Sequence, residues 1–173
     1  LIGFYAQSNL ELPLATKILI GTSNLFVNFW WAIIIIIASI IFGFTRFLKT
    51  PHGRLVWDKL VLKIPKVGTL ISYVILTNFN RTFALLTTAG IPILDAINIV
   101  KDVTGNTVYK EGLKVAYVGV ESGLTFSQQL ISLPYFPRLM GQMIRVGEET
   151  GKMDEIFTHL ADYYENESDH AIK

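Results

Sequence analysis

Glu155, His159 and Asp162 stand at i, i+4 and i+7, a spacing that puts them on one helix face and could present metal ligands. The stripe opposite them is Met153, Ile156, Phe157, Leu160, Ala161 and Tyr164, so a solvated polar face is the simpler reading and no metal site is expected. The run Gly147-Glu148-Glu149-Thr150-Gly151-Lys152-Met153 resembles a phosphate loop, but only three residues separate its glycines where the motif needs four. Met153 stands where a hydroxyl must ligate magnesium, and two carboxylates would repel phosphate. Glu148 and Glu149 are adjacent, so on a helix they point about 100° apart and do not converge for acid–base work. His52 and His170 have no partner in sequence, and no serine lies in a nucleophile elbow. With no cysteine in the chain, thiolate chemistry is excluded. No catalytic set and no cofactor are expected.

The elements that carry these residues follow from composition. The chain has 173 residues, 51% hydrophobic and 17% charged, with mean hydropathy +0.43. That excludes disorder and argues against a purely soluble globule. A net charge of +1 makes no electrostatic case for nucleic acid. Leu25 to Phe44 holds thirteen Leu, Ile, Val or Phe among 20 residues, and no charge falls between Lys17 and Arg46. Such a helix is about 30 Å long and favours insertion by at most about 4–8 kcal/mol. Trp30 and Trp31 suit an aromatic belt at one interface. We read 25–45 as a transmembrane helix.

Between Arg46 and Lys66 lie six basic residues (Arg46, Lys49, Arg54, Lys59, Lys63, Lys66) and one acid, Asp58. The positive-inside rule places everything after residue 45 in the cytoplasm and 1–24 outside. The basic stretch 46–66 then reads as a juxtamembrane helix or linker facing anionic lipid.

Beyond it the chain reads as helices throughout, with no sustained period-2 alternation. A short amphipathic helix is expected at Gly53–Ile64, ended by Pro65 and the break Lys66-Val67-Gly68. The next, Thr69–Ala89, is apolar on nearly all faces and therefore central in its domain. Gly90 caps its end and Pro92 suits the first turn of a helix to Val103. Asn106 and Thr125 can cap helices over Thr107–Glu121 and as far as Ser132, with Gly123 between them. A helix at Arg138–Glu149 would bury Leu139, Met143 and Val146, and Met153–His170 follows Gly151. The expected fold is all-α: one transmembrane helix, then a cytoplasmic antiparallel six-helix bundle at 67–171.

From Glu148 to Asp169 there are eight acids and one basic residue, Lys152. With the basic stretch beside the span, the chain is bipolar. An acidic face far from the membrane suits docking of a basic partner, with simple solubility as the rival account.

An ordered set of short motifs carries a family resemblance. It comprises Phe79-Asn80-Arg81-Thr82, Gly90-Ile91-Pro92-Ile93-Leu94-Asp95-Ala96, Gly123-Leu124-Thr125, Phe136-Pro137 and Met143 to Met153. This set resembles the type II secretion F-protein domain, the family of inner-membrane platform proteins of type IV pilus and type II secretion machines (PilC- and GspF-like). Val146 to Gly151 is its most specific part, and Met153 replaces the usual Leu, a tolerable swap. Leu12-Pro13 to Thr16 and Thr50 to Arg54 also fit the family pattern on either side of the span.

The resemblance implies a multi-pass inner-membrane protein with two homologous cytoplasmic domains and three spans, of which this chain looks like the second span and second domain. It implies a non-catalytic part that couples a cytoplasmic assembly or secretion ATPase to movement of pilins or pseudopilins. Other inner-membrane assembly proteins and further copies of the chain would be its neighbours. A passive membrane scaffold without ATPase contact is the alternative, and a membrane-anchored enzyme a remote one. Residues expected to matter for structure or interaction are Arg81, Gly90, Pro92, Gly123, Gly147, Glu148, Glu149, Gly151, Asp154 and Glu165. Arg81 lies in an apolar helix and needs a carboxylate, with Glu148 or Glu149 as candidates. Gly147 and Gly151 would set a close helix approach and a turn.

Overall fold

The computed structural model describes residues 14–172, with side chains placed for 30–171. The described residues form eight α-helices and no strand. They are α1 (Leu14–Lys49), α2 (Pro51–Lys63), α3 (Val67–Thr88), α4 (Ile93–Val103), α5 (Thr107–Glu121), α6 (Phe126–Ser132), α7 (Arg138–Thr150) and α8 (Met153–Ile172). The chain divides into two compact units at Lys49/Thr50. Half of the expected segment 1–24, residues 1–13, lies outside the described residues; from Leu14 the chain is already helical.

The first unit contributes α1, which runs four residues past the expected end of the apolar stretch. Its window Trp30–Lys49 is long and apolar enough to cross a membrane and is nowhere buried by protein. Within that window Ile40 and Phe42 are 64% and 65% exposed. Near its end the Arg46 guanidinium lies 5.7 Å from the centroid of the Phe42 ring.

The second unit is built on aromatic residues. Phe79 and Phe83 of α3 are fully buried, with ring centroids 4.7 Å apart. Phe83 stacks on Phe157 of α8 at 4.7 Å and meets Phe126 of α6 at 5.3 Å. Phe79 also meets Phe136, which in turn packs edge-on against Tyr109 of α5 at 5.2 Å. Offset and edge-to-face arrangements such as these add to the burial of apolar surface. The apolar composition of α3 thus has a protein explanation. It packs most extensively along α8, with α2 and α4 also against it.

Backbone chemistry sets the boundaries. Thr50 accepts the Gly53 amide at 3.1 Å and Pro51 occupies the first turn, so α2 starts two residues earlier than expected. Asn106 accepts from Val108 at 2.9 Å and Thr125 from Gln128 at 3.4 Å, the caps expected from sequence. Three helices end alike: Gly90, Gly123 and Gly151 have φ of +75°, +91° and +72°. Beyond them the amides of Ile91, Leu124 and Lys152 reach back to Leu86, Gly119 and Gly147 carbonyls at 3.0, 3.0 and 3.1 Å. That six-to-one bond is the Schellman ending, and its left-handed residue favours glycine. Pro92 stands just before α4, at its cap position rather than inside the first turn.

One helix presents a different face from the one expected. In α7 the buried residues are Met140, Gly141, Ile144 and Gly147. Leu139 and Val146 are 48% and 51% exposed. Both rows have helical spacing and lie about 100° apart. The glycines decide between them, because they let α7 approach its neighbours closely.

Candidate functional site

The Gly147–Met153 segment forms the corner where α6, α7 and α8 meet. Glu148, near the end of α7, is half-buried and points at the start of α6. One carboxylate oxygen accepts the backbone amides of Phe126 at 2.7 Å and Ser127 at 3.3 Å, and the other accepts the Ser127 hydroxyl. A short helix leaves its first amides without partners and carries a positive end, and a carboxylate meets both needs. Glu148 is therefore a long-range cap. Its neighbour Glu149 is exposed and accepts from Arg145, one turn back, at 2.8 Å. The two adjacent acids diverge, as helical geometry requires.

Gly147 is buried against α8. A Cβ there would lie 3.0 Å from the Met153 sulfur and 3.1 Å from Ile156 Cγ1. Gly151 supplies the left-handed turn between the two helices. Gly147→Val should accordingly destabilise the protein by about 2 kcal/mol, because branched methyls have no room to turn aside. Gly147→Ala should be close to neutral, since the gain in helix propensity, about 1 kcal/mol, offsets the tight contact. Urea unfolding of the two variants checks this; a Val variant as stable as the Ala one would show that the approach is not tight.

Arg81 is not held by Glu148 or Glu149. Its guanidinium pairs with Glu165 of α8 at 2.6 Å, with the two side chains 53% and 49% exposed. Arg81 lies on the outer face of α3 with Val74, Asn78 and Leu85, and never enters the core. Glu148 is already committed to α6. An exposed pair like this contributes little, so a double-mutant cycle on Arg81→Ala and Glu165→Ala should give a coupling of about 0.5 kcal/mol. A coupling above about 2 kcal/mol would contradict the exposed geometry.

The remaining expected residues are scattered. Gly90 and Pro92 serve the turn between α3 and α4, and Gly123 ends α5 two residues before the Thr125 cap of α6. Asp154 lies in the first turn of α8 with Glu155, where carboxylates complement the helix dipole. Asp162, Glu165 and Asp169 form an exposed acidic row along α8, continued by Glu155 and His159. Lys152 pairs with Glu155 at 3.0 Å, and neither Asp162 nor Asp169 has a basic partner among the described residues. No group of three potential metal ligands occurs among the described residues.

Sequence reasoning missed several contributors. Asp58 of α2 accepts the Thr107 amide at 2.6 Å and so caps α5 from 49 residues away. Its only signal was an acid alone among bases. Beneath the α3–α8 interface, Asn80 donates to the Leu76 carbonyl at 2.7 Å, while its own carbonyl oxygen is buried without a partner among the described residues. The Tyr164 hydroxyl is likewise unsatisfied there. Burial pushes the Tyr109 and Tyr164 phenols above their ordinary range, so both stay neutral. On the outside, the Lys110 ammonium beside Asp102 holds that carboxyl below its usual value.

Residues 79–173 match the family described as type II secretion system protein F. The chain is 34% identical over 94% of its length to a type IV pilus assembly protein PilC of Thermus thermophilus, and covers 40% of that protein. It is 30% identical over 97% of its length to the PilC of Myxococcus xanthus, covering 40%. A type II secretion system protein F of Vibrio cholerae is 29% identical over 96% of the chain, which covers 41% of it. The chain thus spans about two-fifths of the length of these curated relatives. The aromatic core around Phe79, the glycine-ended helices and the Glu148 corner all lie within or beside the matched residues, and the chain belongs to the type II secretion system protein F family.

Proposed function

We propose that the chain is part of the inner-membrane platform of a type IV pilus or type II secretion machine. In this reading the 25–45 stretch crosses the membrane, 46–66 is juxtamembrane, and 67–171 is a cytoplasmic domain in a multi-pass protein. Residues 1–24 then lie outside. The domain carries no chemistry of its own. It receives movement from a cytoplasmic assembly ATPase and passes it to pilins or pseudopilins, next to further copies and other inner-membrane assembly proteins.

The observation that carries this reading is similarity to both PilC and protein F relatives along almost the whole chain. Asp162 and Asp169 in the α8 row support an electrostatic docking surface, because charges left unpaired within the domain are free to meet a basic partner. The test is binding of the intact protein, in detergent or nanodiscs, to the cognate ATPase. Asp162→Lys combined with Asp169→Lys should weaken binding at least tenfold, with the fold unchanged by circular dichroism. Unchanged affinity would remove the α8 row from the interface. No binding by the unaltered protein would favour a passive scaffold.

A further inference from the structure

Helix α2 has two faces of different kinds. On one side Asp58 caps α5 and Leu62 packs on the domain core, with Leu55 half-buried beside them. On the opposite side Val56, Leu60 and, just past the helix end, Ile64 are 48%, 55% and 44% exposed, with Trp57 at 39% along the edge. Lys59 and Lys63 flank this second apolar face on one side, whereas Arg54 lies one turn before Asp58 and lines a recess with Asp102, Thr107 and Lys110. None of Arg54, Lys59, Lys63 or Lys66 forms an ion pair with a carboxylate among the described residues.

We propose that this outer face of α2 docks on the lipid surface, lying in the plane of the cytoplasmic leaflet with anionic headgroups as its partner. The inference rests on the reading that α1 crosses the membrane. Two observations select lipid over a protein partner. Only Thr50 separates α2 from the end of α1, so its first residue, Pro51, is held within about 7 Å of Lys49 by the chain itself. An apolar face with an aromatic at one edge and lysines along the other is the pattern of an interfacial helix. Such a helix inserts its apolar face at the boundary between headgroups and acyl chains, while its lysines reach back to phosphate. At 13 residues, about 20 Å, α2 would tie the helical domain to the bilayer along a line instead of at one joint.

The chain has no cysteine, so single nitroxide labels are straightforward. The intact protein, with any cysteine elsewhere replaced by serine, is reconstituted one copy per nanodisc in phosphatidylcholine and phosphatidylglycerol. Labels at Val56→Cys, Leu60→Cys and Ile64→Cys are compared with Ile36→Cys in α1 and Glu111→Cys on α5. The expected result is preference for oxygen over a water-soluble nickel chelate at 56, 60 and 64, as at 36, and the reverse at 111. Adding Lys59→Glu and Lys63→Glu should reduce that preference at least threefold at 60. If the label at 36 is in the bilayer while that at 60 meets the nickel chelate, the inference fails and the membrane span stands. A label at 60 shielded from both reagents would mean a protein covers the face, which also overturns it. Nickel access at 36 would overturn the span itself, and the docking with it.

Discussion

Glu148→Ala should destabilise the helical domain by about 3 kcal/mol, while Glu149→Ala, one residue away, should cost about 0.4 kcal/mol. The contrast comes from what each carboxylate holds. Glu149 makes one exposed pair with Arg145 within its own helix, which water replaces at small loss. Glu148 accepts from two backbone amides and a hydroxyl at the start of α6. Bonds to a charged acceptor are each worth about 1.5–3 kcal/mol, and removing the acceptor leaves part-buried donors without partners. Helix α6 has only seven residues, too few to hold its shape without tertiary support. Glu148→Gln keeps one acceptor oxygen and should fall between the two, at about 1–2 kcal/mol. Urea unfolding of the intact protein measures these losses. Amide exchange at Phe126 and Ser127 should accelerate in the Ala variant before exchange in α3 and α8 does. Equal stabilities for the two Ala variants would show that Glu148 is not a cap.

The limit of sequence reading lies in this same corner. Helix ends are written locally, and the positions expected for Asn106, Thr125, Gly90, Gly123 and Gly151 match the caps and turns found. The faces of α5 and α8 follow from periodicity, because Tyr109 and Leu113, or Phe157, Leu160 and Tyr164, form a single strongly apolar row. In α7 two rows compete. The buried one contains Gly141 and Gly147, which have no hydrophobic signature. A Cβ at Gly141 would come within 2.5 Å of the Ile131 side chain, so packing through absent side chains selects the face. The partners of Arg81, Asp58 and Glu148 lie 84, 49 and 22 residues away or fewer, and nothing local distinguishes one acid from another at such range. Family resemblance marks the Val146–Gly151 segment as special without saying that its first acid holds another helix and its second faces water.

Gly68→Ala is expected to have the other large effect, a loss of about 3 kcal/mol or more. At an ordinary helical position the change would stabilise by about 1 kcal/mol through propensity and reduced freedom of the unfolded chain. The sign of the effect is therefore diagnostic. Sequence marks Lys66-Val67-Gly68 as a break, and the natural assumption is that glycine supplies the unusual backbone. Lys66 does that instead, with φ of 68°. Gly68 serves close approach: a Cβ there would sit 2.2 Å from the Leu62 carbonyl oxygen and 2.6 Å from its carbon, against 3.4–4 Å for ordinary contact. These are backbone atoms, so no side-chain rotation relieves the overlap. The relief available is a change in how α2 crosses α3, where the two helices are bent by 111°. Moving α2 would pull Leu62 from the core and Asp58 from the Thr107 amide, so Gly68→Ala and Asp58→Ala should be less than additive. In the labelled protein, Gly68→Ala should also change the exposure of a nitroxide at Leu60, since one glycine sets the angle at which α2 leaves the domain. A Gly68→Ala protein at least as stable as the parent, with an unchanged label at 60, would show that the crossing has slack.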